Sequence, residues 1–135
     1  MAFAYFVDTS RSLVLSRGYG TLTDADLMNH VRALRADAAF RSDMRQLGDF
    51  RDVTKIAISS AGVRELSSLN PWGAGSRRAV VVASDYAYGM ARMYQMVREP
   101  SQDDLEIFRG LAEALDWLGL LNELETIAAR LSALQ

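Results

Sequence analysis

The stretch that decides the fold is Met44–Leu69, which reads MRQLGDFRDVTKIAISSAGVRELSSL. Its beginning, Met44–Phe50, predicts a short strand. A helix is then predicted to begin at Ser59 or Ser60, because a serine oxygen accepts hydrogen bonds from the unpaired N–H groups of a first helical turn. Ligands of open α/β sheets usually bind where such a strand ends and its helix begins. Between strand and helix, four polar residues predict a turn, namely Arg51, Asp52, Thr54 and Lys55.

Composition and charge are typical of one soluble globular domain. The chain has 135 residues, of which 50% are apolar and 24% charged, and its formal net charge is −2. The arginines form no basic stripe, which argues against nucleic-acid binding. The absence of cysteine excludes disulfides and cysteine zinc sites. No signal-peptide pattern opens the chain and no apolar run reaches the ~20 residues of a membrane span, so we expect a cytoplasmic protein without an integral membrane segment.

Strands and helices alternate on both sides of the central stretch. Ala4–Asp8 and Ser12–Tyr19 predict a hairpin, and Thr23 begins a helix that extends to about Ala38. After the central stretch, the β-branched run Arg78–Ala83 is typical of a strand covered on both faces. The remaining predicted elements are a helix from Ser84 to about Glu99 that Pro100 ends, a strand at Leu105–Phe108, a helix at Leu111–Leu118 that Gly119 ends, and a final helix.

This order predicts a single-domain α/β fold with a mixed, mostly parallel sheet of four to five strands and covering helices. Its central strands, Met44–Phe50 and Arg78–Ala83, are expected to run parallel. An extra C-terminal helix follows, and its apolar stripe is expected to pack on its own domain or to form the contact of a homodimer. The stripe consists of Leu120, Leu124, Ile127, Leu131 and Leu134.

Residues for enzyme chemistry are sparse. His30 is the only histidine, and the chain has neither a nucleophile elbow nor a glycine-rich phosphate loop. We interpret His30 as a packed or surface side chain, because catalysis needs converging partners. The sequence therefore predicts no enzyme activity, no metal site and no cofactor.

A set of charged residues follows the two central strands. Asp49, Arg51 and Asp52 end the first predicted strand, and Asp85 follows the second. Because the carboxyl ends of parallel strands lie at one edge of a sheet, these side chains are candidates for a polar rim around a ligand or a hard cation. The alternative is that they cap helices and form an ion pair.

The segment Tyr86–Val97, YAYGMARMYQMV, is unusually rich in methionine and tyrosine. Tyr86, Met90, Met93 and Tyr94 are expected on one face of its helix. Methionine adapts to irregular apolar partners, so this face predicts either ordinary core or an apolar ligand pocket. Trp72, in the loop before the second central strand, is a further candidate for ligand contact.

Several stretches resemble the STAS superfamily (sulfate transporter and anti-sigma-factor antagonist), specifically its SpoIIAA-like branch of small bacterial proteins. The resemblance covers about Ala4 to Gly119. It assigns residues 1–119 to a SpoIIAA-like domain and leaves 120–135 as the C-terminal helix. The stretches that carry it are Gly18–Thr23, Gln46–Val53, Ala79–Val82, Tyr88–Met93, and Phe108-Arg109 leading to Ala114–Leu118.

The resemblance implies a four- or five-stranded sheet with helices and no established enzyme activity. In the partner-switching antagonists of this superfamily, a serine at the start of the helix after the central strand is phosphorylated within an Asp-Ser-Ser/Thr-Gly motif. The matching stretch here is Ala57–Gly62, where Ser59 lies near the acceptor position, the Asp is absent and the Gly is displaced. The branch is also similar to CRAL-TRIO lipid-transfer domains, which implies apolar ligand binding or peripheral membrane contact.

Two functions are therefore expected. The first is a non-catalytic binding or regulatory domain that takes a small apolar or lipid-like ligand near Tyr86–Val97. The alternative is a protein-interaction module of the anti-sigma-factor-antagonist type, which contacts a regulatory protein through the Ser59 helix, with Ser59 or Ser60 as the phosphorylation or contact site.

Overall fold

The computed structural model describes residues 2–98 and 102–135. The expected helix end near Glu99 and its termination by Pro100 lie outside the described residues. In chain order the elements are β1 (Phe3–Asp8), β2 (Leu13–Thr23), α1 (Asp24–Ala36), β3 (Arg45–Ala57), α2 (Ser60–Ser68), β4 (Arg77–Val81), α3 (Asp85–Val97), β5 (Asp104–Phe108), α4 (Leu111–Trp117), a 3₁₀ turn (Leu121–Glu123) and α5 (Leu124–Ala133).

The described strands form one five-stranded sheet in the order β1-β2-β3-β4-β5. β1 and β2 form an antiparallel hairpin, and every later neighbouring pair is parallel. In the centre of the sheet, Gln46 of β3 lies opposite Arg78 of β4. The predicted mixed, mostly parallel sheet and its parallel central strands are confirmed.

The strand order determines which face each helix covers. Because β2 to β5 follow one another in a single direction and parallel crossovers are right-handed, α1, α2 and α3 all lie on one face of the sheet. The opposite face is left to the helices that follow β5, which are α4 and α5. One face of the sheet is therefore covered by the helices that connect the parallel strands, and the other face by the helices that follow the last strand. The order of the parallel strands never reverses.

The prediction of a polar turn after Phe50 is wrong. β3 continues to Ala57, and residues 51–57 are strand. The cause is the length of β2, which extends to Thr23 and pairs with β3 over its whole length, so that Thr23 lies opposite Ala57. This pairing continues beyond the last β3 residue that pairs with β4, which is Asp49. The two strands together form an extension whose register shifts on either side of Tyr19 and Gly20, as β-bulges do.

Helix caps follow the sequence closely. Thr23 forms a capping box with Asp26, and Ser59 and Ser84 cap α2 and α3 through their side chains. Gly119 has a φ of +76°, the left-handed conformation expected of it after α4. Two other ends differ: α1 ends at Ala36 instead of near Ala38, and a 3₁₀ turn precedes α5.

The face covered by α4 and α5 is a closed apolar core. Leu13 and Leu47 of the strands and Leu115 of α4 belong to one cluster on this face, and all three are fully buried. Ile127 and Leu131 of the C-terminal stripe belong to the same cluster, and Leu124 and Leu134 pack at its border. The stripe thus packs on its own sheet, while the homodimer stays a prediction.

None of the described helices has the length and apolarity that crossing a lipid bilayer requires.

Candidate functional site

The face covered by α1, α2 and α3 contains a partly open cavity of about 130 Å³. It lies between the pleated sheet and the helix layer. Most of the side chains around it are apolar, and many of these are only half-buried. Its apolar lining includes Leu27 and Val31 of α1, Phe50, Val53 and Ile56 of β3, Val63 and Leu66 of α2, Val80 of β4, and Met90 and Ala91 of α3.

Two glycines of the sheet determine the shape of the cavity floor. The ring of Phe50 lies over both Gly18 and Gly48, and a Cβ atom at either glycine would come within 2.8 Å or 3.0 Å of a ring carbon. The ring also meets the edge of Phe3, with 5.6 Å between ring centroids. A side chain at either glycine would displace Phe50 into the cavity, so the glycines keep this space open.

One wall of the cavity carries a chain of hydrogen-bonded polar side chains, which we call the polar seam: Ser16, His30, Gln46, Arg78 and Tyr94. The Arg78 Nε donates to Gln46 Oε1 at 2.9 Å, and Gln46 Nε2 donates to Ser16 Oγ at 3.1 Å. Ser16 Oγ lies 3.0 Å from His30 Nε2. At the other end, Arg78 Nη1 donates to the Tyr94 hydroxyl at 3.0 Å.

The polar seam has a fixed direction. A guanidinium can only donate, so Arg78 sets the orientation of the Gln46 amide, which in turn donates to Ser16. The Ser16 hydroxyl accepts from Gln46 and still has a proton that it can donate to Nε2 of His30. Such a donation requires an unprotonated Nε2, so the seam is compatible with a neutral His30.

The surroundings of His30 favour its neutral form. Its ring stacks on Phe3 with 4.3 Å between centroids and meets the edge of Tyr5. Burial, and secondly the positive charge of Arg78, lowers the pKa of His30 from 6.5 to about 4. His30 is a packed side chain, as the sequence predicts, and it is uncharged at neutral pH.

Asp103 lies next to the polar seam, between two buried arginines. Its carboxylate lies 3.2 Å from Arg78 Nη1 and 3.2 Å from Arg98 Nη1, and it accepts a hydrogen bond from Asn70 Nδ2. The Arg78 guanidinium also stacks against Trp72, 5.0 Å from the ring centroid. A carboxylate at this distance offsets part of the cost of burying the guanidinium.

The predicted ligand contacts of α3 are only partly at the cavity. Met90, Tyr94 and Trp72 line it, whereas Tyr86 and Met93 do not. Tyr86 is 60% exposed. The inward face of the helix carries Ala87, Met90, Ala91 and Tyr94, so the expected face is rotated by about one residue.

The four residues predicted as a polar rim do not line the cavity. Asp49 forms an ion pair with Arg51 at 2.9 Å, and Asp52 forms one with Arg17 at 3.0 Å. Asp49 shares the strand parity of Leu47, so it faces the α4 and α5 layer. Asp85 also lies away from the cavity, because its side chain is 97% exposed and forms an ion pair with Arg109 at 2.8 Å.

Ser59 and Ser60 are both exposed at the start of α2. Ser59 Oγ accepts from the backbone N–H of Gly62 and donates to Asp24 Oδ2 at 2.7 Å, while its own N–H donates to the same carboxylate. The Ser59 hydroxyl is therefore a helix cap, as predicted, and it also joins the start of α2 to the start of α1.

The polar seam is the feature that the sequence reasoning missed. Ser16, Gln46 and Arg78 are polar residues inside otherwise apolar strands, and each alternates with a core residue of the opposite face, respectively Leu15, Leu47 and Ala79. Their alternation with core residues shows that the three polar side chains lie on the same face of the sheet, and this pattern could have predicted the polar seam. Among the described residues no cluster of three or more histidine or acidic side chains could hold a metal ion.

Comparison with known proteins identifies the fold. No family model matches the sequence. No curated protein matches it either. Among solved structures, the chain is similar to an uncharacterized protein of the DUF3478 family from Shewanella loihica PV-4, described as having a SpoIIAA-like fold. The two are 17% identical with a TM-score of 0.60, over 87% of this chain and 94% of that chain. The SpoIIAA-like fold expected from the resemblance is confirmed.

Proposed function

We propose that this protein is a non-catalytic binding domain that takes a small apolar or amphipathic molecule between the sheet and the layer formed by α1, α2 and α3. The observation that carries the proposal is the cavity of about 130 Å³ with its half-buried apolar lining. Apolar side chains that keep contact with solvent lose stabilisation unless something covers them. A ligand would supply that cover.

The size of the cavity limits the ligand. An engineered protein cavity of roughly 150 Å³ lined by apolar side chains holds benzene. The cavity here is of similar size and is open to solvent at one side. A ligand with a compact apolar body therefore fits, such as one aromatic ring or an alkyl chain of about six to eight carbons, with any longer part extending outward.

A serine–histidine pair of the described residues, Ser16 and His30, lies next to the cavity, and its geometry supports binding over catalysis. Ser16 and His30 are within hydrogen-bond distance, but Ser16 is fully buried and its oxygen already accepts from Gln46. A nucleophile must reach its substrate, and a general base works best with a pKa near the working pH. His30, with its pKa lowered to about 4, is too weak a base for that role.

The alternative function, protein interaction through the Ser59 helix, rests on the exposure of Ser59 and Ser60. The contact of Ser59 with Asp24 weighs against a phosphorylation switch at this residue. A phosphate there would bring like charges together and replace the hydroxyl proton that Asp24 accepts. Phosphopeptide mapping of protein isolated from its native host tests this alternative, and stoichiometric phosphate on Ser59 would favour it.

The proposal is tested with an environment-sensitive fluorescent fatty-acid probe. We expect saturable binding by the parent protein. Ala91→Phe places a ring in the cavity and should weaken probe binding by at least about tenfold, because the added volume has no other space to occupy. The matched control is Met96→Phe in the same helix, since Met96 is 64% exposed and does not line the cavity.

The control should bind the probe as the parent does, and thermal unfolding should show both variants to be folded. No probe binding by the folded parent protein, or equal loss in the two variants, would contradict the proposed function.

A further inference from the structure

Arg78 offers an unused donor to the cavity. The residue is 8% exposed and lines the cavity wall. Its Nε is taken by Gln46, and its Nη1 by Tyr94 and Asp103. Its remaining nitrogen, Nη2, makes no hydrogen bond to any residue that the structure describes. A guanidinium N–H that no protein acceptor takes is free to donate to a ligand, and Arg78 belongs to the cavity lining.

Tyr94 provides a second donor at the same place. Its hydroxyl accepts from Arg78 Nη1 at 3.0 Å, and over residues 2–98 and 102–135 its proton has no hydrogen-bond acceptor. Tyr94 also lines the cavity. The bond places the Tyr94 hydroxyl next to the Arg78 guanidinium, and a carboxylate has two oxygens that can accept from a guanidinium and a hydroxyl together.

The charges around the donor pair favour a monoanion. Among the described residues, Arg78 and Arg98 both form ion pairs with the carboxylate of Asp103, and these three side chains carry a net charge of +1. His30 adds no charge because it is neutral. One negative charge on the ligand would balance the cluster, whereas a dianion would leave an excess negative charge in a buried site.

We propose that the cavity selects amphipathic monocarboxylates, with the ligand carboxylate bound by Arg78 Nη2 and the Tyr94 hydroxyl and the apolar body against Val80, Met90 and Ala91. This inference rests on the proposed function and adds the chemical class of its ligand. Gln46 and Asp103 are positioning residues, since they hold the guanidinium in place through Nε and Nη1.

The test uses Trp72 as an internal reporter. The protein has two tryptophans, and Trp72 lines the cavity whereas Trp117 packs on Phe108 at the opposite face. In a Trp117→Phe background, Trp72 fluorescence is titrated at neutral pH with three ligands of equal chain length: octanoate, octanol and octyl phosphate. We expect octanoate to bind at least about tenfold more tightly than octanol, as a charged hydrogen-bonded head group should. Octyl phosphate, which is largely dianionic, should bind more weakly than octanoate.

The variant Tyr94→Phe removes only the hydroxyl and keeps the ring that lines the cavity. It should weaken octanoate binding severalfold and leave octanol binding unchanged. The matched control is Tyr88→Phe, because Tyr88 lies in the same helix, outside the cavity lining, against Arg109. This control should behave as the parent for all three ligands.

Failure of this inference is distinguishable from failure of the proposed function. If octanoate and octanol bind equally, or octyl phosphate binds most tightly, the cavity takes ligands but the monocarboxylate site is wrong. Octanoate selectivity that Tyr94→Phe does not reduce would overturn the placement of the carboxylate. If none of the three ligands binds and the fatty-acid probe does not bind either, the proposed function is wrong and the inference is wrong with it.

Discussion

The two faces of the sheet differ in how completely their apolar side chains are covered. On the face of α4 and α5, Leu13, Leu47 and Leu115 are fully buried in one cluster. On the face of α1, α2 and α3, comparable apolar side chains such as Phe50 and Val80 stay half-buried around a cavity. Both faces therefore carry apolar side chains, and the difference in packing separates the closed core from the face where we propose that a ligand binds.

The polar side chains follow the same division. The face of α1, α2 and α3 holds a buried arginine, glutamine and serine, which are Arg78, Gln46 and Ser16, and all three belong to the polar seam. The ion pairs of the other face involve the half-exposed Arg51 and the exposed Asp52 and lie at its margin. Buried polar side chains are rare in an apolar core, and the position of these three beside a cavity supports the proposed ligand site.

The largest expected effect comes from truncating one side chain on each face. Leu115→Ala should lower the free energy of unfolding by about 2–5 kcal/mol, because Leu115 is fully buried and the space that it leaves cannot collapse. Met90→Ala should cost less than about 1 kcal/mol, since Met90 borders space that is already empty. Chemical denaturation of both variants measures the difference. Equal losses would mean that the two faces are equally packed.

The next effect is a pH dependence that belongs to one face. The folded-state pKa of His30, about 4, lies below its ordinary value of 6.5. As the pH falls, the unfolded chain is protonated first, so His30 contributes its full stabilisation above pH 6.5 and loses it between pH 6.5 and 4. The loss should amount to roughly 3 kcal/mol at the lower end.

His30→Gln isolates this contribution, because glutamine keeps a hydrogen-bonding side chain opposite Ser16 and does not titrate. The free energy of unfolding of parent and variant, measured by denaturation from neutral pH to about pH 4, should converge as the pH falls. A difference between the two that stays constant over this range would show that His30 titrates as an ordinary exposed histidine.

The smallest expected effect concerns the connection between α1 and α2. Ser59→Ala should cost about 0.5–2 kcal/mol, because the N–H of Gly62 loses its cap and Asp24 loses a donor. Ser60→Ala, one residue into the helix, is the matched control and should change stability by no more than a few tenths of a kcal/mol. Similar costs in the two variants would show that Ser59 is not the cap in solution.

The sequence predicts the sheet well, because alternating strands and helices leave few parallel arrangements and right-handed crossovers select one. It misplaces the end of β3. Arg51, Asp52, Thr54 and Lys55 are polar enough for a turn, but the long β2 beside them supplies strand partners through Ala57. Only the pairing of distant segments reveals this extension, and no local pattern contains it.

The candidate site is predicted in part for a similar reason. Met90, Tyr94 and Trp72 are found by their apolar character, and they line the cavity. Tyr86 and Met93 are equally apolar but lie outside it, because the small residues Ala87 and Ala91 turn toward the sheet and set the rotation of α3. Composition shows that a helix has an unusual face, whereas packing decides which side chains that face presents.

The most direct test of the account observes the methionine methyl groups of α3 by carbon-13 NMR during an octanoate titration. Met90 lines the cavity and Met96 is 64% exposed in the same helix. The account predicts a saturable shift of the Met90 methyl signal with nuclear Overhauser contacts to the ligand chain, and an unchanged Met96 signal. Ligand contacts to Met96 in place of Met90, or no shift of either signal at saturating octanoate, would contradict a binding site between the sheet and α1, α2 and α3.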